Sequence, residues 1–323
     1  MKTNSVAAKA GLCRARPVAD FPIEFEWHTG DWVELFDRQA ELVKADLKRA
    51  QAEDRTIVFQ SCPISSAGGG HFSTNVDIAG TIERNLMARW GERFFILNPT
   101  RYQMETKEGV GLMYQHAAAI KRETGKHIDV AHLMKTTPPS GGDYMRMWTK
   151  VIVEDSYYSG ADAIIGNTGN LFNAFYFIGP TDVQDFFLSE ARSLSQAVEL
   201  YFARKYSLDD NFKNDFDCIE ENGVLRALDL ANEKERAIWH QRRQDFFRYY
   251  AIKAGTAFSR GSHDEWNIIS LLNKKRLAHP EIYGIERTIA VFFDGRQVGP
   301  SQYLTFAAQG YGRILEKDLG SLS

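Results

Sequence analysis

The chain has 323 residues, 44% of them hydrophobic and 25% charged, with a formal net charge of −3. That length suits one large domain or two closely packed ones with a sizeable core. No uninterrupted apolar run approaches the roughly 18 residues of a membrane span, and lysine and arginine are interspersed with acids without a basic excess or stripe. Neither a membrane nor a nucleic acid is therefore expected as a partner.

Cys13, Cys62 and Cys218 are too far apart for a disulfide framework or a CxxC zinc pattern, which fits a reducing, cytoplasmic setting. Residues 1–30 are read as a tail, basic at its start (Lys2, Lys9, Arg14, Arg16) and without the apolar run of a secretory signal.

In chain order, residues 31–54 carry Trp32, Leu35, Phe36, Ala40, Val43 and Leu47 at helical spacing, with Asp31 placed to cap the start. Residues 56–64 read as a buried strand, followed by a loop of serines and glycines (65–71) and a helix over 75–90. A second strand covers 93–97 and stops at Asn98-Pro99. This strand–loop–helix–strand order is the unit that builds parallel sheets. A helix over 110–124 follows, then a third strand over 127–134, a Pro-Pro-Ser-Gly-Gly loop (138–142) and a helix over 143–159. The run 161–166 predicts a fourth strand, 167–170 a loop and 172–178 a fifth strand. Gly179 to Asp182 open one long helix reaching about residue 206, with Thr181 or Asp182 as cap.

Beyond residue 209 the pattern turns helical and charged. Helices are expected over 225–254 and 264–277, and a hairpin around Asp294-Gly295 between residues 289 and 298. The expected architecture is α/β: a Rossmann-like parallel sheet flanked by helices over 31–208, with a mainly helical C-terminal portion (209–323) packed on it.

Ligands of open α/β sheets sit beyond the carboxyl ends of the strands, so the loops there are the candidate sites. Ser65, Ser66, Gly68, Gly69 and Gly70 can bring backbone N–H groups close to an anion at a helix N-terminus, with His71 beside them. Asp143 follows the Pro-Pro loop, and Asn167, Thr168 and Asn170 offer hydrogen bonds to a ribose or a base. Against each stands the plain alternative of turn chemistry. Asp182 and the pair Glu154 and Asp155 are the carboxylates with a place in such a site. Cys62 with His71 as base is a further nucleophile candidate. No histidine spacing of the HExxH kind is present, so neither a metal nor another cofactor is expected. Residues 236–250 interleave five aromatic residues with arginines, an apolar face suited to helix packing or to a homo-oligomer contact.

The order of elements over about 55–190 resembles the nucleoside 2-deoxyribosyltransferase family. The resemblance rests on the small-residue loop after the first strand, the proline ending the second, and Glu154 and Asp155 ahead of Ala161-Asp162-Ala163-Ile164-Ile165. It implies nucleotide-like ligand binding in a Rossmann-like fold. The family's nucleophilic glutamate lies in a Gly-rich Met/Phe-Glu-Leu-Gly stretch, where this chain runs from Asn170 to Phe175, so only Glu154 or Asp155 matches by position.

The expected activity is cleavage or transfer at the N-glycosidic bond of a nucleoside, nucleotide or related sugar-containing small molecule. The alternatives are a hydrolase or lyase of specialised metabolism using Cys62 and His71, and a non-catalytic small-molecule sensor or interaction protein.

Overall fold

The computed structural model describes residues 11–63, 70–155, 166–189, 191–221, 224–253, 259–280 and 288–322. Where the sequence suggested a tail, β1 (Leu12–Ala15) and β2 (Ile23–His28) pair antiparallel, and a two-residue strand at Arg313–Ile314 pairs on the other side of β2. The alternation Ile23, Phe25, Trp27 buries three large side chains of β2 in the core, which is what orders this segment.

After α1 (Asp31–Ala52) come β3 (Thr56–Ser61), α2 (Phe72–Trp90), β4 (Phe94–Leu97) and α3 (Lys107–Thr124). Then follow α4 (Val130–Thr136), α5 (Gly141–Val153), β5 (Ala174–Phe177), α6 (Pro180–Leu188) and α7 (Leu194–Leu208). The remainder contains α8 (Asp210–Asp217), the hairpin β6 (Cys218–Glu221) and β7 (Val224–Ala227), α9 (Glu233–Arg248), α10 (Arg260–Ala278), β8 (Ala290–Phe293) and β9 (Arg296–Gln297).

The chain is α/β. Its central sheet has the order β4-β3-β5-β8-β9, with the first four strands parallel and β9 antiparallel at the end. Period-two alternation sorts the strand residues into two layers. Ile57, Phe59, Phe175, Phe177 and Val291 face α1, α3, α5 and α10. Val58, Ile96, Ala174 and Tyr176 face α2, α6 and α7, with the aromatic side chains of α8 and α9 behind them. Both faces are thus covered, as a parallel sheet requires.

Several expectations change. Residues 127–134 form no strand: Asp129 accepts the His132 N–H at 2.9 Å and starts the short helix α4, in which Val130 is the buried residue. Gly30 rather than Asp31 is the N-cap of α1; Asp31 lies in the first turn and pairs with Lys126. The single helix expected from Gly179 to about 206 is two, because Ser193 accepts the Gln196 N–H and caps a fresh start. Thr181 and Asp182 are not its caps; Gly179 holds that position.

Residues 218–227 form a hairpin, and the helix expected from residue 225 begins only after Asn232, which accepts the Lys234 N–H at 3.0 Å. The hairpin at Asp294-Gly295 is present, both residues having positive φ as a tight turn demands. Its first strand, β8, is a parallel member of the central sheet, so the C-terminal portion completes the sheet as well as packing on it. The expected fourth strand lies outside the described residues. No described helix is long and apolar enough to cross a membrane.

Candidate functional site

The connections out of β3 and β4 decide where a crevice can open. The chain leaves β3 for α2, whose Ile78, Ile82 and Leu86 pack on one face. It leaves β4 for α3, whose Met113, Ala117 and Ile120 pack on the other. Neighbouring parallel strands that turn to opposite faces leave a gap at their carboxyl ends, the usual ligand position in open α/β sheets. A cavity of about 250 Å3 lies there, bordered by Cys62 after β3 and Pro99 after β4. The first turns of α5 and α10 and the ring of Tyr311 complete its wall.

Glu265 supplies the least ordinary group of this cavity. It sits on α10, started by Ser259, which accepts the Ser262 N–H at 3.1 Å. Its neighbour Asp264 accepts the N–H groups of Tyr311 (2.7 Å) and Gly312 (3.0 Å), pinning the chain that carries Tyr311 over the cavity. Gly310 is required at that crossing, since a Cβ there would lie 2.2 Å from the Arg260 carbonyl oxygen.

Glu265 is 6% exposed and accepts a hydrogen bond from the Ser61 hydroxyl at the end of β3. Burial pushes its carboxyl up to about 8, with the nearby Asp264 adding to the rise and the Ser61 bond opposing it. Asp264 is itself raised to about 6 by burial. At neutral pH Glu265 is therefore mostly a carboxylic acid, able to donate a proton.

Across the cavity α5 presents Tyr144 and Trp148. Tyr144 accepts the Met104 N–H at 2.9 Å and donates to the carboxylate of Glu105, which stands exposed at the mouth. Crowding by the surrounding protein raises the Glu105 carboxyl above its ordinary value, although the Tyr144 bond works against this. The Tyr144 phenol is pushed well up by burial and by Glu105, so it stays neutral.

The approach of α5 depends on Asp143. Ser140 and Asp143 form a reciprocal cap, and the same carboxylate accepts the His28 N–H (2.7 Å) and holds His28 Nδ1 (2.8 Å). Asp143 is 2% exposed and occupied by these bonds; it joins β2 to α5 rather than reaching a ligand.

The sequence-derived site residues are divided by the sheet. The Pro-Pro loop reaches the cavity through Pro139, Ser140 and Gly141. Asn167, Thr168 and Asn170 do not: they precede β5, next to Asn173, which donates its N–H to the Ile57 carbonyl at the start of β3. They lie at the amino end of the sheet. There Asp155 accepts the N–H groups of Thr168 and Asn170, each at 3.0 Å, and Asn167 (φ 59°) and Gly169 (φ 66°) shape a turn. Glu154 pairs with Lys44 of α1. The expected convergence of the three loops on one rim is not formed, and Glu154 and Asp155 serve the fold at the far end.

Asp182 is at the carboxyl end of β5, but its carboxylate accepts the Gly179 N–H (3.0 Å) and the Tyr176 hydroxyl (2.8 Å), holding the first turn of α6. Burial raises it. His71 pairs through Nε2 with Asp215 at 2.9 Å, lies 3.3 Å through Nδ1 from the Ser73 hydroxyl, and stacks on Phe216. Neither ring nitrogen is turned to Cys62. Burial pushes the Cys62 thiol well up, with Glu265 reinforcing the effect, so thiolate is scarce there. The Cys62–His71 nucleophile pair is not assembled. Ser65, Ser66, Gly68 and Gly69 lie outside the described residues. Gly70 packs against Asn75 and Tyr249, and a Cβ there would come within 2.9 Å of Asn75 Nδ2.

Sequence reasoning missed Glu265, Glu105, Tyr144 and Trp148. One signal was available for Glu265. Ile268, Ile269, Leu271 and Leu272 form the middle of α10, while Ser262, Asp264, Asn267, Ser270 and Asn273 surround them without making a wholly polar face. A helix of this kind is buried all round and carries polar groups inside.

Part of the aromatic face of residues 236–250 is buried by this chain itself: Phe246 packs on Phe202 of α7 and Phe212 of α8, and Tyr249 and Tyr250 are buried, while Trp239 and Phe247 are half-buried. Among the described residues no cluster of three His, Cys, Asp or Glu side chains could hold a metal ion. Compared with known proteins, the chain matches no family model, no curated protein and no solved structure.

Proposed function

We propose that the chain is an enzyme that breaks a glycosidic bond in a small sugar-bearing molecule, of nucleoside or nucleotide type, with Glu265 as proton donor. The observation that carries this reading is the buried Glu265 carboxyl, raised to about 8 and lining a cavity at the switch between β3 and β4. A leaving base departs more readily once protonated, and an acid retaining its proton at neutral pH is suited to supply it. Aromatic walls from Phe72, Tyr144, Trp148 and Tyr311 suit the flat faces of a base or a sugar. Glu105 at the mouth provides a second carboxylate to stabilise positive charge at the anomeric carbon or to orient water.

In the reaction the carbon–nitrogen bond breaks, its electron pair stays with the base, and the base takes the Glu265 proton. Water adds hydroxide to the sugar carbon, and its remaining proton returns to the carboxylate. At about 250 Å3 the cavity lies just below the roughly 300–1,000 Å3 of most ligand sites, in keeping with one small molecule rather than a polymer.

The test is chromatographic detection of free base from a panel of nucleosides and nucleotides, with wild-type protein and Glu265→Gln. Release by the wild type, reduced roughly 100-fold or more in the variant, is expected of a general acid. No release from any member of the panel overturns the glycosidic reading; thermal stabilisation by a nucleoside without turnover would support a sensor instead.

A further inference from the structure

β4 is the outer strand of the sheet, and among the described residues no strand pairs with its far side. Thr56 donates its N–H to the Arg93 carbonyl at 2.7 Å, which fixes the phase of the ladder. By alternation Phe95 and Leu97 bond toward β3, while the Phe94 carbonyl and the Ile96 N–H and carbonyl are directed outward. A hollow of about 520 Å3 runs along this edge, its floor made by Phe94, Phe95 and Ile96. Four arginines line it: Arg49, Arg55, Arg84 and Arg101. A second hollow of about 520 Å3 shares Arg84 and Arg101 with it and continues past Arg204.

The carboxylates in these hollows are already engaged. Asp46 takes the Tyr102 hydroxyl and Arg49. Glu83 takes Asn98 Nδ2 at 2.9 Å and Arg101 at 2.5 Å. Asp77 takes the Tyr201 hydroxyl and Lys205. Arg84, at the centre, is exposed and bonds the Thr81 hydroxyl, with no ion pair to a described carboxylate. Arg55 is paired with Glu53 at 2.9 Å, so Arg84 is the one arginine of the four without an ion pair to a described carboxylate, and it leaves a net positive charge beside the unpaired edge of β4.

We propose that this groove binds an extended acidic peptide segment, which adds to the sheet as a strand beside β4. The outward backbone groups recognise the extended main chain, and the unpaired Arg84 selects a carboxylate on it. Charged side chains are a common guard against edge-to-edge association. Here they set arginine against arginine if two copies approach by this edge, while drawing in a chain of opposite sign. The groove is separate from the Glu265 cavity, so the proposal does not rest on the glycosidic reading.

The test uses fluorescence anisotropy with a labelled octapeptide of alternating Glu and Thr and the full-length protein at low ionic strength. Its probes include a Lys-for-Glu counterpart and a form N-methylated at alternate backbone nitrogens. The glutamate peptide is expected to bind, and each change to weaken binding at least 10-fold, as is Arg84→Glu in the protein. Arg84 is exposed and holds one hydroxyl, so this variant should melt like the wild type. No binding of the glutamate peptide overturns the proposal. So does equal binding of the methylated peptide, unaltered binding by Arg84→Glu, or a single-stranded oligonucleotide that binds better than the peptide.

Discussion

Replacing Glu265 with Gln keeps the shape of the side chain and removes its ionisation, so it tests the environment of the carboxyl directly. An ordinary glutamate carboxyl titrates near 4.5, and this one is raised to about 8. At about 1.36 kcal/mol per pH unit, ionising it in place costs about 5 kcal/mol more than in the unfolded chain. The sign follows from proton binding. Between pH 4.5 and 8 the folded protein holds a proton that the unfolded chain has lost, so stability falls as pH rises through that window. Below pH 4.5 both states are protonated and nothing is lost; above pH 8 both are ionised and the full penalty is present.

Wild type should therefore lose about 3 kcal/mol to this group by pH 7, a loss absent from the variant. The group is only 6% exposed, so solvent screening erodes the figure little. Asp264, raised to about 6, remains in both proteins, and its own contribution cancels in the difference. Urea unfolding at half-unit steps from pH 4.5 to 8.5 measures it. Glu265→Gln should gain on wild type by up to about 1.4 kcal/mol per pH unit and then level off near pH 8. Parallel stability curves for the two proteins would show that the carboxyl is not held neutral by burial, and the proton-donor argument would lose its basis.

Asp155→Ala should cost about 2–4 kcal/mol, because it leaves the Thr168 N–H and hydroxyl and the Asn170 N–H without their acceptor. Turnover per folded molecule should be unchanged, since the residue lies at the amino end of the sheet; a kcat loss beyond the loss of folded protein would contradict the assignment. Gly142→Ala places a Cβ 1.8 Å from the Glu26 carbonyl oxygen, where α5 meets β2. Both partners are main chain and cannot rotate aside, so a loss of about 3 kcal/mol or more is expected in calorimetry; a change under about 1 kcal/mol would mean that the two elements are not in such close contact.

By position in the sequence Asp143 was a candidate ligand contact and Asp155 a candidate catalytic carboxylate, and the structure gives both a mechanical task. Each carboxylate accepts several bonds from backbone and side-chain groups and so ties two segments of chain together. Asp143 fastens the N-terminal strand to the helix that walls the cavity, so it acts on the site at one remove. The cavity's own groups come from segments far apart in the chain: Cys62 from the end of β3, Tyr144 from α5, Glu265 from α10 and Tyr311 from beyond β9.

Local pattern was enough for the elements whose burial is one-sided or total. Trp32 to Leu47 announced α1 by their spacing, and the runs at 56–61, 94–97 and 174–177 announced parallel strands by unbroken apolar character. The turn residues Asp294 and Gly295 announced the last hairpin. Pattern failed at residues 127–134, where a few apolar residues suit strand and helix alike and the Asp129 cap decided the outcome. It failed also over 179–206 and after 225, where capping side chains set the helix limits.

The direction in which each loop leaves the sheet was beyond pattern altogether. The turn at 167–170 follows a predicted strand in the sequence yet lies at the amino end, because what fixes its place is the strand it precedes. The sequence by itself determined the class of fold, since hydrophobic period and turn chemistry act over a few residues. Tertiary structure alone decided which carboxyl would keep its proton, since the desolvation of Glu265 depends on β3 and α10 meeting across about 200 residues of chain.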